Sequence, residues 1–164
     1  MRYIKILLIM TCLIAPSYSA AEHAVGVSAG AVKGVGLTYR NINESTRMGV
    51  QITGIPVIHE DGGFTSGGVS ALYMLHMGTT GKAFLSFGSG VIHAWDAESS
   101  QTLIGIGPGI GFEFQVVDKI GLSIEVPIVA MFGADTVVEN NIEKIELVLK
   151  GVLPIPSASL VYKW

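Results

Sequence analysis

The stretch "IGIGPGIGFEFQVVDKIGLSIEVPI", residues 104–128, carries an apolar side chain at every even position from Ile104 to Val116, with glycine or a polar residue at every odd one. Successive side chains of an extended chain point to opposite sides, so a period of two predicts a strand and excludes a helical stripe. After the break "VDKIG" the alternation resumes, with Leu122, Ile124, Val126 and Ile128 on one side and Ser123, Glu125 and Pro127 on the other. The pair reads as an antiparallel hairpin. What this chain folds into depends on what lies against each of those two faces.

The same pattern recurs along the chain. Segments near 24–31, 35–42, 46–58, 66–78, 83–95, 102–117, 120–132 and 154–164 read as strands, eight in all, separated by turn chemistry such as "NES", "EDGG", "TTGK", "AESSQ" and "VDK". The stretch from Val25 to Tyr39 is apolar at every odd position but Lys33, and a single strand would set that lysine on the apolar face. A three-residue turn "VKG" with Gly34 left-handed removes that lysine from the face and sets Ala31 opposite Val35, Ala29 opposite Leu37 and Val27 opposite Tyr39. The longest connection runs from Gly133 to Gly151. Within it "NNIEKIELVLKG" is compatible with a helix, through Ile142, Ile145 and Leu149, and with a strand alternating at Ile145, Leu147 and Leu149.

Before the first strand, Arg2 and Lys5 precede the apolar run "ILLIMTCLIA", followed by Pro16 and the small residues "SYSAA". These are the three regions of a secretory signal peptide, expected to span residues 1–21 and leave Glu22 as the mature start of a single domain, 22–164. The run is shorter than the roughly 18 apolar residues a membrane anchor needs. Cys12 is the only cysteine and lies inside this segment, so the mature chain is expected to have neither a disulfide nor a thiolate site.

Charged residues make up 14% of the chain, against about 25% in ordinary soluble domains. Mean hydropathy is +0.54, yet after residue 21 no run approaches the roughly 20 apolar residues of a membrane helix. An apolar surplus distributed through alternating strands is what lipid-facing strands require. A net charge of -3 offers no basic footprint for nucleic acid. A soluble lipocalin-like barrel with its apolar face inward also alternates. Its outer face would carry many Lys and Glu, whereas strand 102–117 offers Gly105, Gly107, Gly109 and Gly111. Such small side chains suit the cramped interior of an eight-stranded barrel.

The ending "SASLVYKW" places Ala158, Leu160, Tyr162 and Trp164 on alternate positions and closes on an aromatic. It resembles the C-terminal assembly signal of small bacterial outer-membrane β-barrel proteins, with Trp164 where the family usually has Phe. The resemblance implies an all-β, eight-stranded antiparallel up-and-down transmembrane barrel. It also implies insertion by the barrel-assembly machinery, with outer-membrane lipid as the surrounding partner and Leu160, Tyr162 and Trp164 as the assembly signal. With the N-terminus in the periplasm, "NES", "TTGK" and "VDK" become short inner turns. The connections "HEDGGFTSG", "DAESSQ" and 133–151 then become longer outer loops, an asymmetry known from such barrels.

The parity of the strands then directs Arg40, Gln51, Thr53, His76, Glu113, Gln115 and Glu125 into the lumen, with Lys163 at its margin. Of these, Arg40, Gln51, His76, Glu113, Gln115 and Glu125 form the expected lumen polar cluster, read as a structural ion-pair network because buried charges must be paired. Arg40 is expected to serve both Glu113 and Glu125. Gly88, Gly90, Gly105, Gly107 and Gly109 form a glycine wall, suited to close packing or to an apolar ligand. His76, His93, Ser86, Ser89 and Glu113 supply the residue types of a Ser–His–acid site, but no nucleophile motif frames them, so no catalytic residue is assigned. His59, Glu60 and Asp61 are metal-ligand types in a loop without further spaced ligands, and neither a metal nor a cofactor is expected. The expected role is a non-catalytic envelope protein, with a lipid-acting enzyme, an apolar-ligand carrier and a soluble periplasmic barrel as alternatives.

Overall fold

The computed structural model describes residues 21–59, 62–96, 100–139 and 142–164. The expected signal peptide, with Cys12, lies outside them except for Ala21, and so do Glu60 and Asp61. Every regular element among the described residues is a strand: β1 (Ala21–Gly30), β2 (Gly34–Asn43), β3 (Met48–His59), β4 (Gly62–Met77), β5 (Gly81–Asp96), β6 (Ser100–Val117), β7 (Ile120–Glu139), β8 (Ile142–Pro154) and β9 (Ser157–Lys163). Each strand pairs antiparallel with the next from β1 to β8, β7 also pairs with β9, and β9 returns to β1. The sheet is thus a closed, all-β, eight-stranded up-and-down barrel. Its eighth stave is shared by β8 and β9, which part at Ile155 and Pro156.

Cross-strand partners keep one parity, so side chains sort cleanly into two faces. The inner row Thr38, Thr53, Gly68, Gly90, Gly105 and Met131 runs through six successive strands. The outward set includes Val27, Leu37, Val50, Val69, Tyr73, Leu85, Phe87, Ile106, Ile110, Phe112, Val126, Ile128 and Leu160, all exposed. Apolar packing inside is concentrated toward the end that holds the termini, where Ile42, Leu72, Met74 and Phe84 form one buried cluster.

Two sequence expectations need correction here. The described residues of the long connections at the far end are strands. β3 continues to His59, β4 starts at Gly62 and β5 runs to Asp96, while β7 reaches Glu139 and β8 starts at Ile142. The helix-or-strand alternative for 141–151 therefore resolves to strand from Ile142, because alternating Leu147 and Leu149 pair with Ala134 and Phe132 of β7. Among the described residues the far end is marked by long strands where longer loops are expected.

The first hairpin keeps a three-residue turn but is shifted from the expected register, with the turn one residue earlier: Ala29 faces Val35, Val27 faces Leu37 and Val25 faces Tyr39. Its turn is Ala31–Val32–Lys33, followed by Gly34 at φ 78°, a left-handed conformation that favours glycine. Ala31 leaves the ladder because its carbonyl points into the barrel, close to where Gly90 and Gly105 would carry a Cβ.

That short hairpin shapes the whole molecule. β2 pairs with β3 no further than Leu37–Gly54, and β1 with β9 no further than Ala29–Ala158. Beyond those pairs β3 and β8 continue toward the far end, each with one pairing partner among the described residues, β4 and β7 respectively. Eight staves close the terminal half of the barrel. Only six strands continue past it, leaving a notch between the free edges of β3 and β8.

Candidate functional site

The interior of the closed half is a ladder of charge. At the terminal mouth, Glu22 meets Lys82 in a close ion pair and lies 3.6 Å from Arg40 and 4.0 Å from Lys163. Deeper, Glu113 is held between Arg40, in close contact, and Lys163 at 2.5 Å. Both Arg40 and Glu113 are almost fully buried, so each depends on the other for its solvation. Above them is a hydroxyl and amide layer, in which Gln51 Nε2 donates to Ser159 Oγ at 3.5 Å and Ser159 donates to Ser28 at 2.9 Å. A Thr53–Thr38 hydrogen bond of 2.9 Å adjoins it.

The top of the ladder is formed by the first turn. Lys33 is 1% exposed; its Nζ lies 2.6 Å from Glu125 Oε2 and 5.4 Å from the centre of the Phe84 ring. Ser86 Oγ donates to the other Glu125 oxygen at 2.5 Å. Val32 is fully buried beside it. The glycines account for the fit. A Cβ on Gly68 would lie 2.4 Å from the Lys33 carbonyl, and one on Gly90 within 2.9 Å of the carbonyls of both Ala31 and Val32. One on Gly109 would lie 2.7 Å from Glu125 Oε1. Gly68, with Gly90 and Gly105 of the glycine wall, is the socket for the turn 31–33, which crosses the barrel as a floor.

Of the expected polar cluster, Arg40, Gln51, Glu113 and Glu125 are buried on the inner face. His76 is not. The register shifts between Met74 and His76, a bulge at Leu75 that turns His76 to the exposed outer face. Gln115 has inward parity but stands at the open mouth, exposed, where its Nε2 donates to the Asp118 carbonyl at 2.7 Å. Arg40 pairs with Glu113 but Glu125 pairs with Lys33, so one expected cluster is two separate ones. Glu22, Lys33 and Lys82 also belong to the ladder, although the strand parity read from the sequence assigns none of them to the lumen. For Lys33 the available signal was the glycine wall, which needed an occupant.

Of the catalytic residue types, Ser86 is bonded to Glu125 inside, while His76 and His93 stand on the outer face at opposite ends of the barrel. His93 stacks on Trp95 with centroids 5.1 Å apart and bonds Thr102 Oγ1 at 2.7 Å. Among the described residues neither Ser86 nor Ser89 is bonded to His76 or His93. No group of three or more metal-ligating side chains occurs among the described residues.

At the seam, Trp164 N donates to the His23 carbonyl at 3.0 Å, and the two rings stack at 5.9 Å with 19° between planes. Tyr39 and Asn41 both bond His23 Nδ1, at 2.9 and 3.1 Å. Leu160 and Tyr162 lie outward on β9, paired with Val27 and Val25. The terminal aromatic thereby ties the last stave to the first.

No protein-family model matches this chain. A search of curated proteins also finds no match. Among solved structures, the attachment invasion locus protein Ail of Yersinia pestis is similar with 15% identity and a TM-score of 0.45, over 89% of this chain and 99% of Ail. Neisserial surface protein A is similar with 17% identity and a TM-score of 0.36, over 87% and 91% of the respective chains.

Proposed function

We propose that this chain is an integral outer-membrane β-barrel protein of the envelope, non-catalytic, with a lumen closed by its own side chains. The observation that carries this reading is the inversion of ordinary burial. Arg40, Lys33, Glu113 and Glu125 are among the most buried side chains, while Leu37, Phe87, Ile110, Phe112, Ile128 and Leu160 are exposed around the wall. Exposed apolar patches on soluble monomers rarely exceed a few hundred Å², whereas an apolar belt around the whole barrel is the ordinary surface of a membrane barrel. The charge ladder and the 31–33 floor span the interior, which supports a structural rather than a conducting lumen. Residues 1–21 would direct export, the barrel-assembly machinery would act on the Leu160–Tyr162–Trp164 ending, and the far-end strands would stand outside the cell.

Fractionation with a carbonate wash tests this directly, and the mature chain should stay in the membrane pellet with heat-modifiable mobility. Epitope tags at 97–99 or 140–141 should be reached on intact cells, and a tag at Thr79 or Thr80 should not. Release by carbonate would overturn the membrane reading; access to the Thr79 tag alone would invert the topology.

A further inference from the structure

The notch between β3 and β8 opens onto a space that the charge ladder does not use. Above the 31–33 floor, the inner face is lined by Phe64, Ile92, Leu103, Met131, Val148 and Leu153, an apolar cup inside a barrel whose lower interior is polar. Leu153 is 55% exposed and Val148 40% exposed although both pair with inward-facing residues of β7, Val129 and Gly133. At its rim the Lys150 side chain passes over Gly133, with Cε 2.3 Å from where a Cβ would sit. The cup has a floor, a six-strand wall and an open side.

The height of the notch decides what meets it. Outward apolar positions run from Val25 to Ala29 on β1 but from Ile104 to Val116 on β6. At about 3.4 Å per residue and a tilt near 40°, these cover roughly 10 Å and roughly 30 Å of height, against an apolar band of about 25 Å. The first hairpin thus screens the lumen from only the leaflet nearer the termini. In the other leaflet the cup is open sideways, beside the outward Leu147, Leu149 and Val152 of β8.

We propose that this cup is a lateral binding site for a lipid of the outer leaflet, whose acyl chain enters between β3 and β8 and lies above the 31–33 turn. Three observations specify that occupant. The deeper lining is aliphatic and aromatic, with Lys150 over Gly133 and Gln101 toward the rim, so the deeper part takes a hydrocarbon chain. The side opening is continuous with the outward apolar belt, so a chain reaches the cup without crossing water. The two strand edges present backbone N–H and C=O groups, which are costly to leave bare in hydrocarbon. The lipid therefore meets them with its ester, amide or hydroxyl linkages, and only the chain goes deeper. The Lys33–Glu125 pair closes the floor, so the site is blind: it holds a lipid and does not pass it to the periplasm.

This inference rests on the membrane reading, and one experiment separates the two. In a Trp95→Phe, Trp164→Phe background, single tryptophans are placed outside (Ile106→Trp), inside the closed half (Phe84→Trp) and inside the cup (Met131→Trp, with Leu103→Trp as a second reporter). Each folded variant, selected by heat-modifiable mobility, is read in phosphatidylcholine liposomes with and without brominated acyl chains, and with acrylamide. The membrane reading requires strong bromolipid quenching of the Ile106 reporter, and its absence would overturn that reading. The lipid site requires the cup reporters to be quenched within about twofold of the Ile106 reporter and shielded from acrylamide, with the Phe84 reporter several-fold less quenched by bromolipid. Cup reporters open to acrylamide would mean water, and cup reporters reached by neither quencher would mean protein; either result refutes the lipid site while leaving the membrane reading intact.

Discussion

In the half of the barrel that holds the termini, eight staves close around Phe84, Arg40, Glu113 and the Lys33–Glu125 pair, all buried. In the other half six strands continue, and the inward-facing Leu153 is more than half exposed. The same alternation runs through both, and β6 and β7 belong to both. The difference is the length of the first hairpin. A closed ring gives every inward side chain neighbours on all sides, so charge can be buried only if it is paired. An open one leaves inward side chains facing whatever fills the gap. Where the hairpin stops, its turn folds inward rather than upward, and one short element both closes the lower chamber and leaves the upper one open.

The sharpest way to break this division is through its floor. Glu125 has Lys33 as its cation and a Ser86 hydroxyl as its second bond. Lys33→Met should therefore destabilise by about 3 to 5 kcal/mol, the usual loss when one partner of a buried pair is removed. Adding Glu125→Gln should recover part of that loss, since an amide is less costly to bury than an unpaired carboxylate. Urea unfolding in liposomes measures both, and equal stability of the single and double variants would show that this pair does not hold the floor.

Arg40→Met probes the lower ladder and should cost less, about 2 to 3 kcal/mol, on the scale of hydrogen bonds to charged groups. Glu113 keeps Lys163 at 2.5 Å when Arg40 is lost, whereas among the described residues Glu125 has Lys33 alone as an ion-pair partner. A loss from Arg40→Met as large as that from Lys33→Met would mean that the two clusters are coupled as one.

The strands and the sorting of their faces were legible because each needs only local alternation, and Lys33 could be taken out of the apolar face by the same reasoning. Its destination could not. Whether a turn tips inward depends on Gly68, Gly90 and Gly105, which belong to three other strands; the sequence presents Gly90 and Gly105 only as part of a wall without an occupant and gives Gly68 no mark at all. His76 was misassigned because a single bulged residue, Leu75, reverses parity and leaves no mark in composition. Gln115 has the expected parity, but parity does not tell how far a side chain stands from the mouth. The far-end segments read as loops because "EDGG" and "AESSQ" carry turn chemistry. Their flanks pair nonetheless, since β4 and β7 supply partners that a local reading does not see.

The smallest expected effect tests the comparison most cleanly, because it uses one substitution on one face. Leu72 and Leu103 both point inward. Leu72 is 2% exposed and packed with Ile42, Met74 and Phe84, whereas Leu103 is half-buried in the cup. Leu72→Ala removes packed atoms and leaves a cavity, which costs about 2 to 5 kcal/mol. Leu103→Ala leaves a space that the occupant of the cup can fill, and exchanging leucine atoms for hydrocarbon changes little, so its effect should stay within about 1 kcal/mol, near the range of unpacked surface positions. Both are measured by urea unfolding in liposomes of one composition. A Leu103→Ala loss matching that of Leu72→Ala would mean that the far half is as tightly filled by protein as the near half, and the division between a packed closed chamber and an open one would fall.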